Sequence, residues 1–367
     1  MDNRFALVVQ GGGQKGAFAA GVLDYFKKQQ FDPFSLYLGT SAGALNVAAY
    51  VAGQPGLGLD FILNYSTQDR FFDFNKFLRK EQPMDLDWAF QFVETGEFPL
   101  DIERGRHRLG RQRQALACVT NVEEMKDYYY PIFADNWFDV LRATCAIPML
   151  YFNDIEFDGS TWVDGGVTAS IPVEEAYRRG ANEIVVISTE RVLEHDQADK
   201  FDGSIERFKK ELDLGLEPLI DKYGLHGHRD RLVDFRNQFV DKLSSWQETR
   251  KEDLLGRISW LPEPDKLSQM LAEQKQKLNF TKPSSQKMDM LVNHYISHEA
   301  VKEFMRQPPK GVTIHEIAPK NGLMSRGLLS HRDDILADYE NGQLAGFEFL
   351  KQLEERDNSS LQSEEGC

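Results

Sequence analysis

SLYLGTSAGALNVAAYV, residues 35–51, changes character at its centre. Ser35 to Leu38 is short, apolar and aromatic, the composition of a buried strand. Ala44 to Val51 is an apolar run that reads as a helix. Between them, Gly39-Thr40-Ser41-Ala42-Gly43 sets small residues on both sides of a serine. A strand that turns into a helix within five residues forces an unfavourable backbone angle on that serine, so its neighbours two positions away must be small. The hydroxyl is then exposed at the strand end, beside the free N–H groups and positive dipole of the helix. The pattern predicts a nucleophile elbow with Ser41 as nucleophile. Without chemistry, the same residues would make an ordinary glycine-rich turn.

The same order occurs once before it. Phe5 to Gln10 reads as a strand and Gly11-Gly12-Gly13-Gln14-Lys15-Gly16 as a turn. A helix follows, with Phe18, Val22 and Phe26 on one face. Strand–turn–helix repeated in succession predicts a parallel α/β sheet. Parallel strands bring both turns to one sheet edge. The N–H groups of Gly11, Gly12 and Gly13 are therefore expected to face the oxyanion formed at Ser41. Gly11, Gly13 and Gly16 also match a dinucleotide-binding fingerprint. That reading wants an acidic residue at the end of the second strand. Asp32 has the spacing but precedes Pro33 and the strand, and the strand end carries the serine turn instead.

A serine nucleophile needs a base. Seven histidines follow residue 164: His195, His226, His228, His294, His298, His315 and His331. Most sit in charged helical or loop stretches and read as surface or packing residues. Asp164-Gly165-Gly166 is the better candidate, because it follows the short strand Thr161–Val163 and its glycines allow close approach. Taken alone, Asp-Gly is a common turn pair.

Together GGGQKG, GTSAG and DGG, in that order, resemble the patatin-like phospholipases. Arg142 to Pro148 (RATCAIP), Gly16 to Asp24 (GAFAAGVLD) and Ile171-Pro172 fit the same resemblance. It covers about residues 5–190, together with a closing strand and helix after 311. More narrowly, the chain resembles a bacterial patatin-like group with a helical C-terminal extension. The resemblance implies a three-layer α/β/α fold with a mainly parallel sheet. It implies a Ser41–Asp164 dyad without histidine, acting on a lipid or other acyl ester, with Ala42 assisting the Gly11–Gly13 loop. Lys15, Gly16, Gly39, Gly43, Gly165 and Gly166 support the motifs. No cofactor and no metal are called for, and no His/Cys cluster has zinc spacing. A non-catalytic lipid-binding or scaffold protein of the same fold is the alternative.

The remaining sequence bounds this reading. The chain has 367 residues and a net charge of −15, which argues against nucleic-acid binding and against broad docking on anionic lipid. Phe5–Val9 is too short for a signal-peptide core, and no stretch reaches the roughly 18 apolar residues of a membrane span. A cytoplasmic protein is expected, with peripheral contact at the inner membrane open. Cys118 and Cys145 read as buried thiols. The catalytic domain is expected over 1–195, with an aromatic-rich insertion at about 56–113. Its rings either pack a helical subdomain or wall an acyl-chain site. Arg104, Arg106, Arg108, Arg111 and Arg113 make a headgroup site or, more simply, a charged face offset by acids. Residues 196–356 are expected to be mainly helical with a strand at about 311–317, and 357–367 to be a disordered tail. The sequence leaves the oligomeric state open.

Overall fold

The computed structural model describes residues 4–79, 81–191 and 283–364. The helices expected between 200 and 282 lie outside the described residues. Residues 1–192 and 293–367 form one compact unit, and 193–292 a second, of which only 283–292 are described.

The first unit is built on one sheet. Its strands are β1 (Phe5–Val9), β2 (Leu36–Thr40), β3 (Gln114–Asn121), β4 (Lys126–Pro131), β5 (Ile155–Phe157), β6 (Ser160–Asp164), β7 (Glu183–Ile187) and β8 (Thr313–Ile317). The order is β5-β6-β3-β2-β1-β7-β8, with β4 on β3. β3, β2, β1, β7 and β8 run parallel. β4 and β6 run antiparallel to β3. Asp158 and Gly159, both at positive φ, close the β5–β6 hairpin, as an Asp-Gly pair does in the turn type that matches strand twist.

The helices are α1 (Gly16–Lys28), α2 (Ala42–Ala52), α3 (Leu57–Phe61), α4 (Phe74–Leu78), α5 (Leu86–Glu94), α6 (Ile102–Leu109), α7 (Trp137–Thr144), α8 (Val173–Arg178), α9 (Pro283–Arg306) and α10 (Arg332–Glu364). Strand residues alternate between two cores, as the two-residue period of a strand requires. Leu7, Val9, Tyr37, Ala117 and Val185 face one core with residues of α1, α2 and α7. Ala6, Val8, Leu38, Leu116 and Val186 face the other, with Val173 and Ala176 of α8 and Val301 of α9. A mainly parallel sheet thus lies between two helical layers, the three-layer α/β/α arrangement expected.

β8 and α10 complete this sheet and this layer. α10 crosses α1 at a point where both are glycine. A side chain on Gly342 would enter the radius of the Phe18 carbonyl oxygen, and one on Gly21 that of the Tyr339 carbonyl. Gly342→Ala is therefore expected to destabilise the protein by about 2 kcal/mol, seen as a lower thermal midpoint. Asn341→Ala, on the exposed side of the same turn, should leave the midpoint unchanged.

The aromatic-rich segment forms α3 to α6. Phe61, Phe71, Phe72 and Phe90 are buried in the first core. Tyr65 packs its ring against Phe61, Trp88, Phe92 and Phe98. These rings hold a helical subdomain together. In the arginine run, Arg106 pairs with Glu103 and Asp135, and Arg108 and Arg113 with Asp32. Asp32 is thereby engaged away from the glycine loop, which removes the acidic residue that the dinucleotide reading needed.

Candidate active site

Sheet register brings the serine and the aspartate together. β2 pairs with the first part of β3, ending Thr40 opposite Cys118. β6 pairs with the last part of β3, placing Asp164 opposite Val119. β4 occupies the other edge of β3 over Leu116–Asn121, so β2 and β6 share one edge, end to end. Ser41, the residue after Thr40, and Asp164 meet at that junction.

Ser41 has φ 53° and ψ −129°, a backbone conformation that a non-glycine residue holds only at a cost of about 1–3 kcal/mol and that clusters at active sites. The surroundings impose it. Ser41 N–H donates to Thr144 Oγ1 at 2.9 Å, and Thr144 Oγ1 donates to the Cys118 carbonyl. Thr40 Oγ1 donates to the Ala169 carbonyl at 2.8 Å. A Cβ on Gly43 would strike the Val9 and Gln10 carbonyls, and one on Gly39 the backbone of Ala44. The elbow lies directly against β1, and its glycines are steric necessities.

Asp164 is buried at 5% exposure. Its N–H donates to the Ala146 carbonyl at 3.0 Å. Its Oδ1 accepts from Gly166 N–H at 2.6 Å, and the Ser41 hydroxyl lies close enough to stabilise its ionised form. Burial pushes that carboxyl up to about 7, against the pull of the Gly166 hydrogen bond and of the nearby Ser41 hydroxyl. The small-residue block Arg142–Pro148 thus has a structural meaning: Thr144 fixes Ser41 and Ala146 fixes Asp164. Gly165 lies hard against the Cys118 carbonyl. Cys118 and Cys145 are buried and unpaired. Burial pushes both thiols up, so neither is a nucleophile at neutral pH.

The glycine loop does adjoin the serine, with one correction. A Cβ on Gly11 would lie 3.0 Å from the Thr40 carbonyl and 3.1 Å from Ser41 Cβ. Yet Gly11 N–H donates to the Ser170 carbonyl at 3.2 Å, so it is not a free oxyanion donor. Gln10 N–H, donated to the Ile187 carbonyl, continues the pairing of β1 with β7 one residue past the strand. Gly12 (φ 151°) and Gly13 (φ 57°) turn away from that pairing, and their N–H groups have no partner among the described residues. Ala42 opens α2 beside them. Lys15 ends a short 3-10 turn and forms no ion pair among the described residues. Gly16 packs α1 closely on Ala42.

Two supports of this loop come from far along the chain. Gln14 N–H donates to the Gly327 carbonyl at 2.9 Å, and Ser330 N–H donates to Gln14 Oε1 at 2.8 Å. Gln10 Oε1 accepts from Thr189 N–H at 2.7 Å. The histidines have other partners. His315 pairs with Glu183 at 2.8 Å, His298 bonds Ser170 and Glu190, and His294 bonds Gly166. His195, His226 and His228 lie outside the described residues. Among the described residues no helix is long and apolar enough to cross a membrane, and no group of three or more His, Cys, Asp or Glu side chains is placed to hold a metal ion.

Residues 7–177 match the model of the patatin-like phospholipase family, and residues 284–358 match that of a domain of unknown function, DUF6363. Over 347 residues the chain is 37% identical to the uncharacterised protein YjjU of Escherichia coli (strain K12), covering 95% of this chain and 77% of that one. Among solved structures, the crystal structure of VipD from Legionella pneumophila aligns over 99% of this chain and 79% of that chain, with 12% identity and a TM-score of 0.32.

Proposed function

This chain belongs to the patatin-like phospholipase family, and on that premise we propose that it is a serine acyl hydrolase, cleaving carboxylic esters of lipids with Ser41 as nucleophile and Asp164 as base. The observation that carries the reading is a serine at strained φ, brought by sheet register beside a buried carboxyl whose pKa lies near neutrality.

An aspartate of ordinary pKa, about 4, is a weak base for a serine hydroxyl. A base works best when its pKa is near the operating pH, and burial moves Asp164 there. Ser41 Oγ attacks the ester carbonyl while its proton passes to Asp164. The negative oxygen of the tetrahedral intermediate is received by Gly12 and Gly13 N–H, with Ala42 N–H at the positive end of α2. The intermediate collapses, the C–O bond to the alcohol breaks, and Asp164 returns the proton to the leaving oxygen. Water then attacks the acyl-serine, giving its proton to Asp164; the second tetrahedral intermediate collapses, its bond to Ser41 Oγ breaks, Asp164 returns the proton to that Oγ, and the acid is released. Gly11 contributes closeness rather than a donor. The family supplies the lipid ester as substrate class, as in phospholipase A or lysophospholipase chemistry.

A fluorophosphonate probe tests this directly. Labelling of the full chain, mapped by peptide mass spectrometry, is expected on Ser41 alone. No labelling, or labelling at another serine, would sink the assignment.

A further inference from the structure

From Asn293 onward, α9 lays three polar side chains along Gly166–Ser170, the loop between Asp164 and α8. Asn293 Nδ2 donates to the Val167 carbonyl at 2.8 Å. His294 Nδ1 donates to the Gly166 carbonyl. His298 Nδ1 meets Ser170 Oγ at 2.7 Å, and its Nε2 meets Glu190 Oε2 at 3.0 Å. The two imidazoles stand one helical turn apart and nearly parallel, 6.0 Å between centroids and 16° between planes.

The residues they hold also hold the dyad and the glycine loop. Gly166 N–H donates to Asp164 Oδ1 at 2.6 Å. The Ser170 carbonyl takes the Gly11 N–H. A carbonyl oxygen can only accept, so the proton of His294 sits on Nδ1. His294 is exposed at the surface, with Nδ1 turned to the Gly166 carbonyl. Desolvation by the neighbouring protein holds its pKa below the ordinary value, against the Gly166 hydrogen bond.

We propose that His294 is a positioning residue for the base: by fixing Gly166, it keeps the Gly166 N–H on Asp164 Oδ1 while Asp164 takes and returns the Ser41 proton. This rests on the reading of Ser41 and Asp164 as nucleophile and base. An N–H donated to a carboxylate favours its ionised form. Without His294, Gly166 is free to turn, and Asp164 ionises at a higher pH. Among the described residues, the titratable groups facing Asp164 are the Cys118 and Cys145 thiols, which burial keeps protonated near neutrality. Those facing His294 are His298, Glu190 and Lys302. The carboxyl of Glu190 is pressed upward by burial, but His298 and Lys302 outweigh this and hold it ionised.

Three substitutions in the full chain separate positioning from mere docking. His294→Phe keeps a ring beside His298 and removes the donor; His294→Ala removes both ring and donor, should Phe not be accommodated. His294→Gln keeps a donor. The first readout is kcat and KM for a short p-nitrophenyl ester against pH. The second needs no activity: the gap in unfolding free energy between each protein and its Asp164→Asn counterpart, followed over pH, reads the titration of Asp164. His294→Phe should raise the midpoint of both by about one pH unit, the effect of losing about 1.4 kcal/mol at the carboxylate. Near neutral pH its kcat should fall up to about tenfold with KM unchanged. His294→Gln should recover the wild-type midpoint. Two results would overturn the proposal: a Phe variant with a lower thermal midpoint but an unshifted titration, or a Gln variant shifted as far as Phe. A wild-type protein without esterase activity would instead count against the hydrolase reading, while the unfolding gap would still decide whether His294 governs Asp164.

Discussion

Asp164→Asn is expected to lower kcat for ester hydrolysis by about 10³-fold, within the range that a positioned general base contributes. Asn keeps the shape of Asp and can still accept the Gly166 N–H. It cannot take a proton from Ser41 Oγ. Ser41→Ala removes the attacking atom itself and is expected to cost at least as much. Because the two residues act as one unit, the double variant should be little worse than either single one. The wild-type pH profile provides a second check. Asp164 must be ionised to act as base, so kcat/KM should rise with pH and reach half its plateau near pH 7, where burial has placed the carboxyl. A profile already flat from pH 5 upward would mean that the acting base is not this buried carboxyl. An Asp164→Asn protein with near-full activity would return the role of base to another group, with the histidines first in line.

How far the sequence revealed this site depends on the range over which each constraint acts. The Ser41 elbow is local. Five consecutive residues must turn a strand into a helix, and the requirement for small side chains is written into those five positions. Asp164 is only partly local, since Asp-Gly-Gly by itself is an ordinary turn and its meaning came from its order after the other two motifs. The mutual placement of Ser41 and Asp164 is not local at all. It depends on β2 and β6 sharing one edge of β3 in successive register, which no spacing along the chain encodes. The same holds for Thr144, which receives the Ser41 N–H across 103 positions. Gly11 illustrates the reverse. Its sequence context matched an oxyanion donor, but its N–H had been committed to Ser170, and a hydrogen bond of that separation leaves no periodic trace. His294 read as a surface residue because its partner is a backbone carbonyl, which every residue has.

The second large effect is on stability, and its sign is opposite to that on activity. In the unfolded chain Asp164 ionises near its ordinary 3.8, and in the folded protein near 7. Between those values folding must take up a proton. The unfolded state holds fewer protons, so stability falls as pH rises through the window. Above pH 7 the folded protein carries an ionised carboxylate in a buried site, and the gap corresponds to about 4 kcal/mol. Asn titrates nowhere in this range. The stability of Asp164→Asn relative to wild type should therefore be near zero at about pH 4, grow to pH 7, and level off at up to about 4 kcal/mol in favour of the variant. Urea unfolding of both proteins across that range measures it. A gap that does not change with pH would show that Asp164 titrates normally, and the argument for it as a tuned base would fail with it. A gap that grows as described would identify the inactive variant as a well-folded protein. It would also explain why the wild type bears an unfavourable charge in its interior: the destabilisation that burial imposes on the carboxylate is the same free energy that makes it basic enough to deprotonate Ser41.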